Sequence, residues 1–571
     1  MKKERAAAAS QRPSLMKGII MTEYIFYRAD FGEENEYSKK KGFGFFINQW
    51  GTPELNSGFV PSAWFQDNIL VKQDAHGCFV TPKEAEGGRI PLSFKADLKE
   101  EGRYLLTVSL YSEKDTEEVL VFAGRRQLIF KGKIKAKEER KCTFPVCVCD
   151  FIPRGETLRQ NNRSFVLTVT GRDVRLVSIK EEPWEGKTVF IAGDSTVTDQ
   201  SAQYPYFPEA SYGGWGQMLL PFLNGKTAVS NHSHSGLTTE SFRKEGHYEI
   251  LKQAIRAGDL CLFQFGHNDQ KLKNLTAEGG YRHNLVRYIK EIREKEAVPV
   301  LVTPLARNSW KGNDGSYNDL LEKYAKEVMK IGEDLNVPVL DLHERSMEFI
   351  KEHGLEDSKR WFYPSDYTHT NDYGAWKMAG FVWEELKKTD LFAELPADFE
   401  EWEPPEAFKE YGKRSFRLRA AEQQTEKRPE PDRPKEILTR AEALDFIIRT
   451  VNYFPVNVYN DFFSDILGHE WYAGTVECAL QNGLIPEEMT EDGCFFPERA
   501  VTLEEFLCIA VTGYKSRKKL PPIQTFAKGS SAWAQEMVSF ACTLGAADPN
   551  EDWKRPLTRK EGAAILNKFT V

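Results

Sequence analysis

Three patterns of apolar and polar positions succeed one another along the chain. From Tyr24 to about Lys180 the apolar residues fall in short, β-branched and aromatic runs, at 104–111, 119–122, 144–149, 165–170 and 174–179. Runs of this length, several of them separated by glycine or charged turns, predict strands, and a series of them predicts a β-sandwich. From Glu185 the pattern changes. Apolar runs at 189–192, 228–231, 260–265, 299–303 and 338–342 alternate with segments of helical spacing such as 284–292, and that alternation predicts a parallel sheet covered on both faces. A stretch rich in Pro, Glu, Lys and Arg at 403–436 reads as an exposed linker. Beyond it Thr439-Arg440-Ala441-Glu442, Thr502-Leu503-Glu504-Glu505 and Thr558-Arg559-Lys560-Glu561 each pair a threonine with a glutamate three residues on, which is the capping-box signature of a helix start. The expected organisation is a disordered or extended N-terminus (1–23), a β-sandwich (24–182), an α/β parallel-sheet domain (185–395), the linker (403–436) and α-helical repeats (437–571).

Composition narrows the class. A length of 571 residues suggests about four domains at ~150 residues each, and 41% hydrophobic with 28% charged residues is ordinary for a globular protein. A net charge of -8 argues against a nucleic-acid partner, which favours strongly basic domains. No apolar stretch approaches the ~20 residues of a membrane span. The start, Met1-Lys2-Lys3-Glu4-Arg5-Ala6, lacks the ~7–15-residue apolar core of an export signal, so a cytoplasmic location is expected, with the cell surface as the alternative. Met16 and Met21 are further candidate starts. Nine cysteines, close together only at Cys147-Val148-Cys149, suit reduced thiols.

Candidate chemistry sits in the α/β segment. Its first run breaks at Gly193-Asp194-Ser195, and an Asp366-x-x-His369 pair lies ahead of a helical stretch at 373–382. A serine hydroxyl is a weak nucleophile until an imidazole takes its proton, and the imidazole needs a carboxylate to fix its tautomer. Ser195, His369 and Asp366 supply those types. The second run is followed by Ser235-Gly236 and the third by Gly266-His267-Asn268-Asp269. In an open parallel sheet, ligands bind beyond the carboxyl ends of the strands, so Ser195, Gly236 and Asn268 are expected to converge. The N–H groups of Ser195 and Gly236 and the Asn268 amide would then face a developing oxyanion.

Each residue alone has a plainer use: Ser195 as a helix cap, Gly236 and Asn268 in turns, His369 as a satisfied surface histidine. Their order along the chain favours the chemical reading. Asp194 and Asp269 read as local hydrogen-bonding groups. His232-x-His234 lacks a third ligand at metal-site spacing, so a pocket-lining role is favoured and neither metal nor cofactor is expected. Trp215 and Gln217 are candidates for substrate contact or for core packing.

With those landmarks the segment resembles the SGNH, or GDSL-type, hydrolases. Within that superfamily it is most similar to the rhamnogalacturonan acetylesterase branch, through Gly214-Trp215-Gly216-Gln217, Phe265-Gly266-His267-Asn268-Asp269-Gln270-Lys271, Val302-Thr303-Pro304-Leu305-Ala306-Arg307 and Asp366-Tyr367-Thr368-His369-Thr370. The resemblance spans about 185–391 and departs at Asn231-His232-Ser233-His234, where small or basic residues are more usual. It implies a flavodoxin-like sheet and a serine carboxylic ester hydrolase that removes acetyl groups from pectic rhamnogalacturonan-derived oligosaccharides. The implied catalytic residues are Ser195, Asp366 and His369, with Ser195, Gly236 and Asn268 as oxyanion donors; Trp215, Gln217, His232 and His234 are candidates for substrate contact from their positions in the chain. A lipase or thioesterase of the same superfamily is the alternative chemistry.

Asp30-Phe31-Gly32 and Lys41-Gly42-Phe43-Gly44-Phe45 resemble the opening of a galactose-binding-like domain. The C-terminal repeats resemble S-layer homology repeats, with Phe463, Trp471, Ala479 and Gly483 echoed by Phe526, Trp533, Ala541 and Gly545. That likeness implies a cell-wall polymer as partner and a wall-binding surface protein as a rival function. Only two Trp-centred units accompany the three helix starts, and Leu503 stands where arginine is expected. Since no export segment is read at the start, a small helical bundle or self-association module is the favoured reading of this region.

Overall fold

The computed structural model describes residues 14–16, 19–27, 36–46, 58–61, 69–82, 89–152, 157–160, 163–171, 173–223, 225–310, 316–364, 366–391, 401–404, 436–451, 453, 455, 462–463, 465–466, 470–516 and 518–569. Asp30-Phe31-Gly32 and most of the expected linker, 405–435, lie outside the described residues. The chain forms two compact units, one of Met1–Gln270, Asn274–Ala306 and Leu321–Gly412, the other of Lys271–Lys273, Arg307–Leu320 and Lys413–Val571. The β-rich and α/β segments thus share the first unit.

The β-rich segment is two antiparallel sheets. In one, Val174–Pro183 pairs with Ile19–Ile25, Gly77–Pro82 and Gly102–Ser112, and Glu138–Val148, Ile69–Asp74 and Ser14–Met16 extend it. The other runs Gln127–Ile134, Thr116–Ala123, Ser164–Thr170, Leu92–Asp97, Phe43–Phe45. Their inner faces meet in an aromatic cluster, with Tyr24 and Phe94 ring centroids 5.2 Å apart and Phe26 and Phe94 5.0 Å apart. Both pairs are edge-on, the favoured arrangement of ring quadrupoles. Pairing begins at Ser14, earlier than the patterning from Tyr24. Ile69–Asp74 and Leu92–Asp97 also lie outside the expected runs, because Lys72, Gln73, Asp74, Ser93 and Lys95 dilute their apolar character.

The α/β segment contains strands β1 (Lys187–Gly193), β2 (Thr227–Asn231), β3 (Leu260–Gln264), β4 (Val298–Val302) and β5 (Val339–Leu340), in sheet order β2-β1-β3-β4-β5. All pairs are parallel. Every residue of β2 and β3 is buried, as a sheet covered on both faces requires. Helices α1 (His247–Ala254), α2 (Arg282–Glu294), α3 (Glu322–Leu335), α4 (Leu342–Ser358) and α5 (Asp372–Lys387) intervene or follow. Strand β5 is shorter than the run at 338–342 because Asp341 caps α4, its carboxylate accepting from Glu344 N. The two halves of this unit are joined by a buried charge. Arg103 of the β-rich half donates to Asp259 at 2.5 Å and to the Gly186 carbonyl at 2.6 Å, while Asp259 also accepts from Thr188 N and Arg256 N.

In the second unit, α6 (Arg440–Thr450), α8 (Leu503–Lys515) and α10 (Arg559–Leu566) each start with the expected capping box, and α7 (Ala473–Gln481) and α9 (Gln535–Thr543) lie between them. The three starts close into a ring: Leu438 N donates to Leu557 O at 2.8 Å, Val501 N to Leu438 O at 3.0 Å and Leu557 N to Val501 O at 3.3 Å. Two ion pairs repeat the pattern inside it, Arg440 to Glu505 and Arg559 to Glu442. At the third position Leu503 is buried and Glu561 pairs with Arg555 at 3.0 Å instead. Arg440 also donates to the Met489 and Phe495 carbonyls. Arg440→Met would therefore leave Glu505 and two carbonyls without their donor. Loss of one partner of a buried pair costs about 3–5 kcal/mol, so hydrogen exchange in α6 and α8 should reach its global limit at a lower urea concentration; an unchanged midpoint would contradict this role.

Candidate active site

The α/β sheet brings three loops together because β2, β1 and β3 are neighbours and end at one edge. Strand β1 ends at Gly193, where a Cβ would stand 2.7 Å from the Gln264 carbonyl, so glycine permits the close approach of β1 to the end of β3. Ser195 follows. Its Oγ lies 2.7 Å from His369 Nε2, and His369 Nδ1 lies 2.8 Å from Asp366 Oδ2. Asp366 Oδ1 accepts from Thr368 N at 2.8 Å and His369 N at 2.9 Å, which fixes the carboxylate against its own loop. Tyr363 N donates to His369 O at 2.9 Å and Asn371 caps α5 by accepting from Gly374 N, so this loop is tied at both ends. All three side chains are half-buried.

Electrostatics favour an ionised Asp366. Burial is the largest influence and works to raise its pKa, but the adjacent His369 and the hydrogen bonds from His369 and Thr368 outweigh it and hold the carboxyl below its ordinary value. A carboxylate in that state stabilises imidazolium and selects the tautomer that leaves Nε2 facing Ser195 Oγ.

Gly236 follows β2 with φ 82 and an exposed backbone, a left-handed conformation that glycine adopts without strain. Asn268 follows β3, and its Nδ2 donates to Leu237 O at 3.1 Å. Since a primary amide carries two N–H donors, this bond uses one of them. The sheet thus brings Ser195, Gly236 and Asn268 to one edge. Asp194 and Asp269 support these loops from below. Buried Asp194 accepts from Thr196 N and Oγ1 and lies 3.3 Å from His267 Nδ1; although burial opposes it, His267 and Thr196 hold this carboxyl below its usual range. Asp269 ties the β3 loop to the β2 loop by accepting from Thr239 N and Oγ1, and burial pushes it up to about 7.

Three of the four substrate-contact candidates stand elsewhere. Trp215 is fully buried and donates through Nε1 to Gln264 Oε1 at 2.8 Å, while Gln264 donates to Thr196 Oγ1 at 2.8 Å. Gln217 is also fully buried, donating to Arg126 O at 2.6 Å and accepting from Gly214 N and Gln200 N. Both are packing residues. The segment carrying them lies directly against the chain after Ser195, where a Cβ at Gly214 would meet Thr198 O at 2.3 Å. His232 is buried against Phe190, with Nε2 3.0 Å from Ser230 Oγ and 3.6 Å from Cys149 Sγ. It lines a cavity of about 460 Å³ together with Arg125, Phe151 and Asp199, a cavity that Ser195, Asp366, His369, Gly236 and Asn268 do not line. His234 alone of the four keeps partial exposure near Gly236; its Nδ1 lies 3.1 Å from Ser235 O and its ring 4.9 Å from that of His247.

Several residues that frame Ser195, Asp366 and His369 are absent from the sequence-based set. Gln200 donates to Ser195 O at 2.8 Å. Tyr212 directs its hydroxyl at Asp366 Oδ2 at 3.4 Å, meets His369 edge-on at 5.8 Å and stacks on Tyr363. Tyr212 lies two residues before the Gly214–Gln217 motif, a proximity that offered a signal. Among the described residues, no group of three or more His, Cys, Asp or Glu side chains is placed to hold a metal ion.

Residues 191–377 match the GDSL-like Lipase/Acylhydrolase family. Rhamnogalacturonan acetylesterase RhgT of Bacillus subtilis (strain 168) is 33% identical over 216 residues, which cover 36% of this chain and 90% of that protein. The probable rhamnogalacturonan acetylesterase YesY of the same organism is 32% identical over 211 residues, covering 36% of this chain and 94% of YesY. A longer match of 382 residues, 26% identical and covering 66% of this chain and 90% of its counterpart, is to the uncharacterized esterase YxiM, also of Bacillus subtilis. The chain belongs to the GDSL-like lipase/acylhydrolase family and is a serine carboxylic ester hydrolase.

Proposed function

We propose that this enzyme is a carbohydrate O-acetylesterase that removes acetyl groups from rhamnogalacturonan-derived oligosaccharides, with Ser195 as nucleophile, His369 as general base and acid, and Asp366 as the group that orients His369. The observation that carries the chemistry is the continuous hydrogen-bonded path from Ser195 Oγ through His369 to Asp366. The substrate class is supported by two relatives named as acetylesterases of that polysaccharide.

In this mechanism His369 Nε2 takes the Ser195 proton as Oγ bonds to the acetyl carbonyl carbon. The carbonyl oxygen becomes an oxyanion that accepts from Ser195 N, Gly236 N and the second N–H of the Asn268 amide. Collapse breaks the bond to the sugar oxygen, which leaves with the proton held by His369. Water then attacks the acetyl-serine with His369 as base, and acetate departs as Ser195 recovers its proton. Every residue in this sequence belongs to the first unit. We assign the second unit a role apart from the chemistry, in self-association or in binding a wall polymer.

The substrate reading is tested by measuring acetate release from acetylated rhamnogalacturonan oligosaccharides, acetylated xylooligosaccharides and aryl esters of increasing chain length. The first set should give the highest kcat/KM, and a preference for long acyl chains would overturn it. The chemical reading is tested by Ser195→Ala, which should lower kcat by about 10³-fold or more with folding retained; wild-type turnover by the purified variant would refute the nucleophile. His369 must be neutral to accept the proton, so kcat/KM should rise with pH through an acid limb as the imidazolium loses its proton. Because Asp366 is held below its usual range, it should add no second acid limb in that region. A profile flat between about pH 5 and 8 would contradict the assignment to histidine.

A further inference from the structure

We propose that Arg126, a residue of the β-rich half, is a positioning residue for the esterase site, holding together the segments that carry Ser195, Asp366 and His369. The proposal rests on the roles given to those three residues above. Arg126 ends the turn between strands Thr116–Ala123 and Gln127–Ile134, with φ 74. A non-glycine residue in that left-handed region is uncommon and is kept when its surroundings determine it. Here the side chain, fully buried, determines it.

The guanidinium donates to four acceptors: one is Gln217 Oε1 at 3.5 Å, and the other three each lead toward a different member of the catalytic group. Nε donates to Gln200 O at 2.8 Å, and Gln200 in turn donates to Ser195 O. Nη2 donates to Tyr212 O, and Tyr212 faces Asp366 Oδ2 and the edge of the His369 ring. Nη1 pairs with Asp372, the first residue of α5 and three residues beyond His369. Asp372 also accepts from Tyr206 OH. A planar fork with donors in fixed directions can hold three separated acceptors at once, which a lysine ammonium on a flexible stem cannot. Neighbouring Arg125 donates to Asn231 O at the end of β2, so the same turn also touches the strand that leads to Gly236.

A purely structural role predicts lost stability with unchanged chemistry. A positioning role predicts a change in kcat, because displacement of a reacting group by about 1 Å can cost 10²-fold. The test measures kcat, KM and the pH profile of the full chain on a small aryl acetate for Arg126→Met and Arg126→Lys, with Ser195→Ala alongside. Arg126→Met should lower kcat by about 10²-fold while KM changes far less. It should also move the acid limb of kcat/KM to lower pH, because a less firmly placed Asp366 stabilises the His369 imidazolium less. Arg126→Lys should recover part of the rate. A folded Arg126→Met with wild-type kcat and acid limb would overturn the proposal. If Arg126→Met does not fold, Arg126→Lys decides: a reduced kcat with a displaced acid limb supports positioning, and wild-type values overturn it. An inactive Ser195→Ala beside a fully active Arg126→Lys removes the positioning role alone, whereas an active Ser195→Ala removes the reading beneath it.

Discussion

The parallel pairing of β2, β1 and β3 is the constraint on which the site depends. Its register sets Ile191 opposite Asn231 and Leu262, so the chain leaves all three strands at nearly the same height. Loops that are distant in sequence then open onto one edge, and Ser195, Gly236 and Asn268 are the residues they carry. Burial on both faces keeps that register, since a slip would misplace continuous apolar runs along the strands. The Asp366–His369 loop completes the site from the far end of the domain, held by its own backbone hydrogen bonds and by the capped start of α5.

The β-rich half is tied to this sheet by buried charge as well as by apolar packing. Arg103 binds Asp259 immediately before β3, and Arg126 binds Asp372, the first residue of α5. Buried pairs recover their desolvation cost only when geometry and further hydrogen bonds are favourable, and they contribute little net stability. Their consequence here is geometric. Arg103 fixes the entry to β3 and Arg126 the start of α5, which ties the β-rich segment to the α/β segment within one unit.

Much of the α/β half was legible because its signals are local. Apolar runs give the five strands to within a few residues, and Asp366 and His369 sit in one short loop, so their spacing already implies contact. The aromatic and glycine positions of Gly214–Gln217 were visible too, but their purpose was not. A tryptophan and a glutamine read equally well as sugar contacts or as buried packing residues, and only the Gln264 and Arg126 partners decide it. His232 gave a similar ambiguity, resolved by its contacts with Phe190 and Cys149 and by a cavity that Ser195 does not line. Arg126 and Asp372 lie 246 positions apart, and no periodicity or motif links residues across two segments of different architecture. In the C-terminal unit the three capping boxes were plain in the sequence, whereas their closure into a ring depends on backbone hydrogen bonds between segments that carry no pairing pattern.

The most direct test of the catalytic arrangement is covalent labelling of the native enzyme with a fluorophosphonate, which reacts with a serine only where a neighbouring base and oxyanion donors activate it. Peptide mapping by mass spectrometry should place a single stoichiometric adduct on Ser195, with loss of ester hydrolysis in proportion to labelling. An adduct on another residue that abolishes activity, or full activity with Ser195 completely modified, would contradict the account.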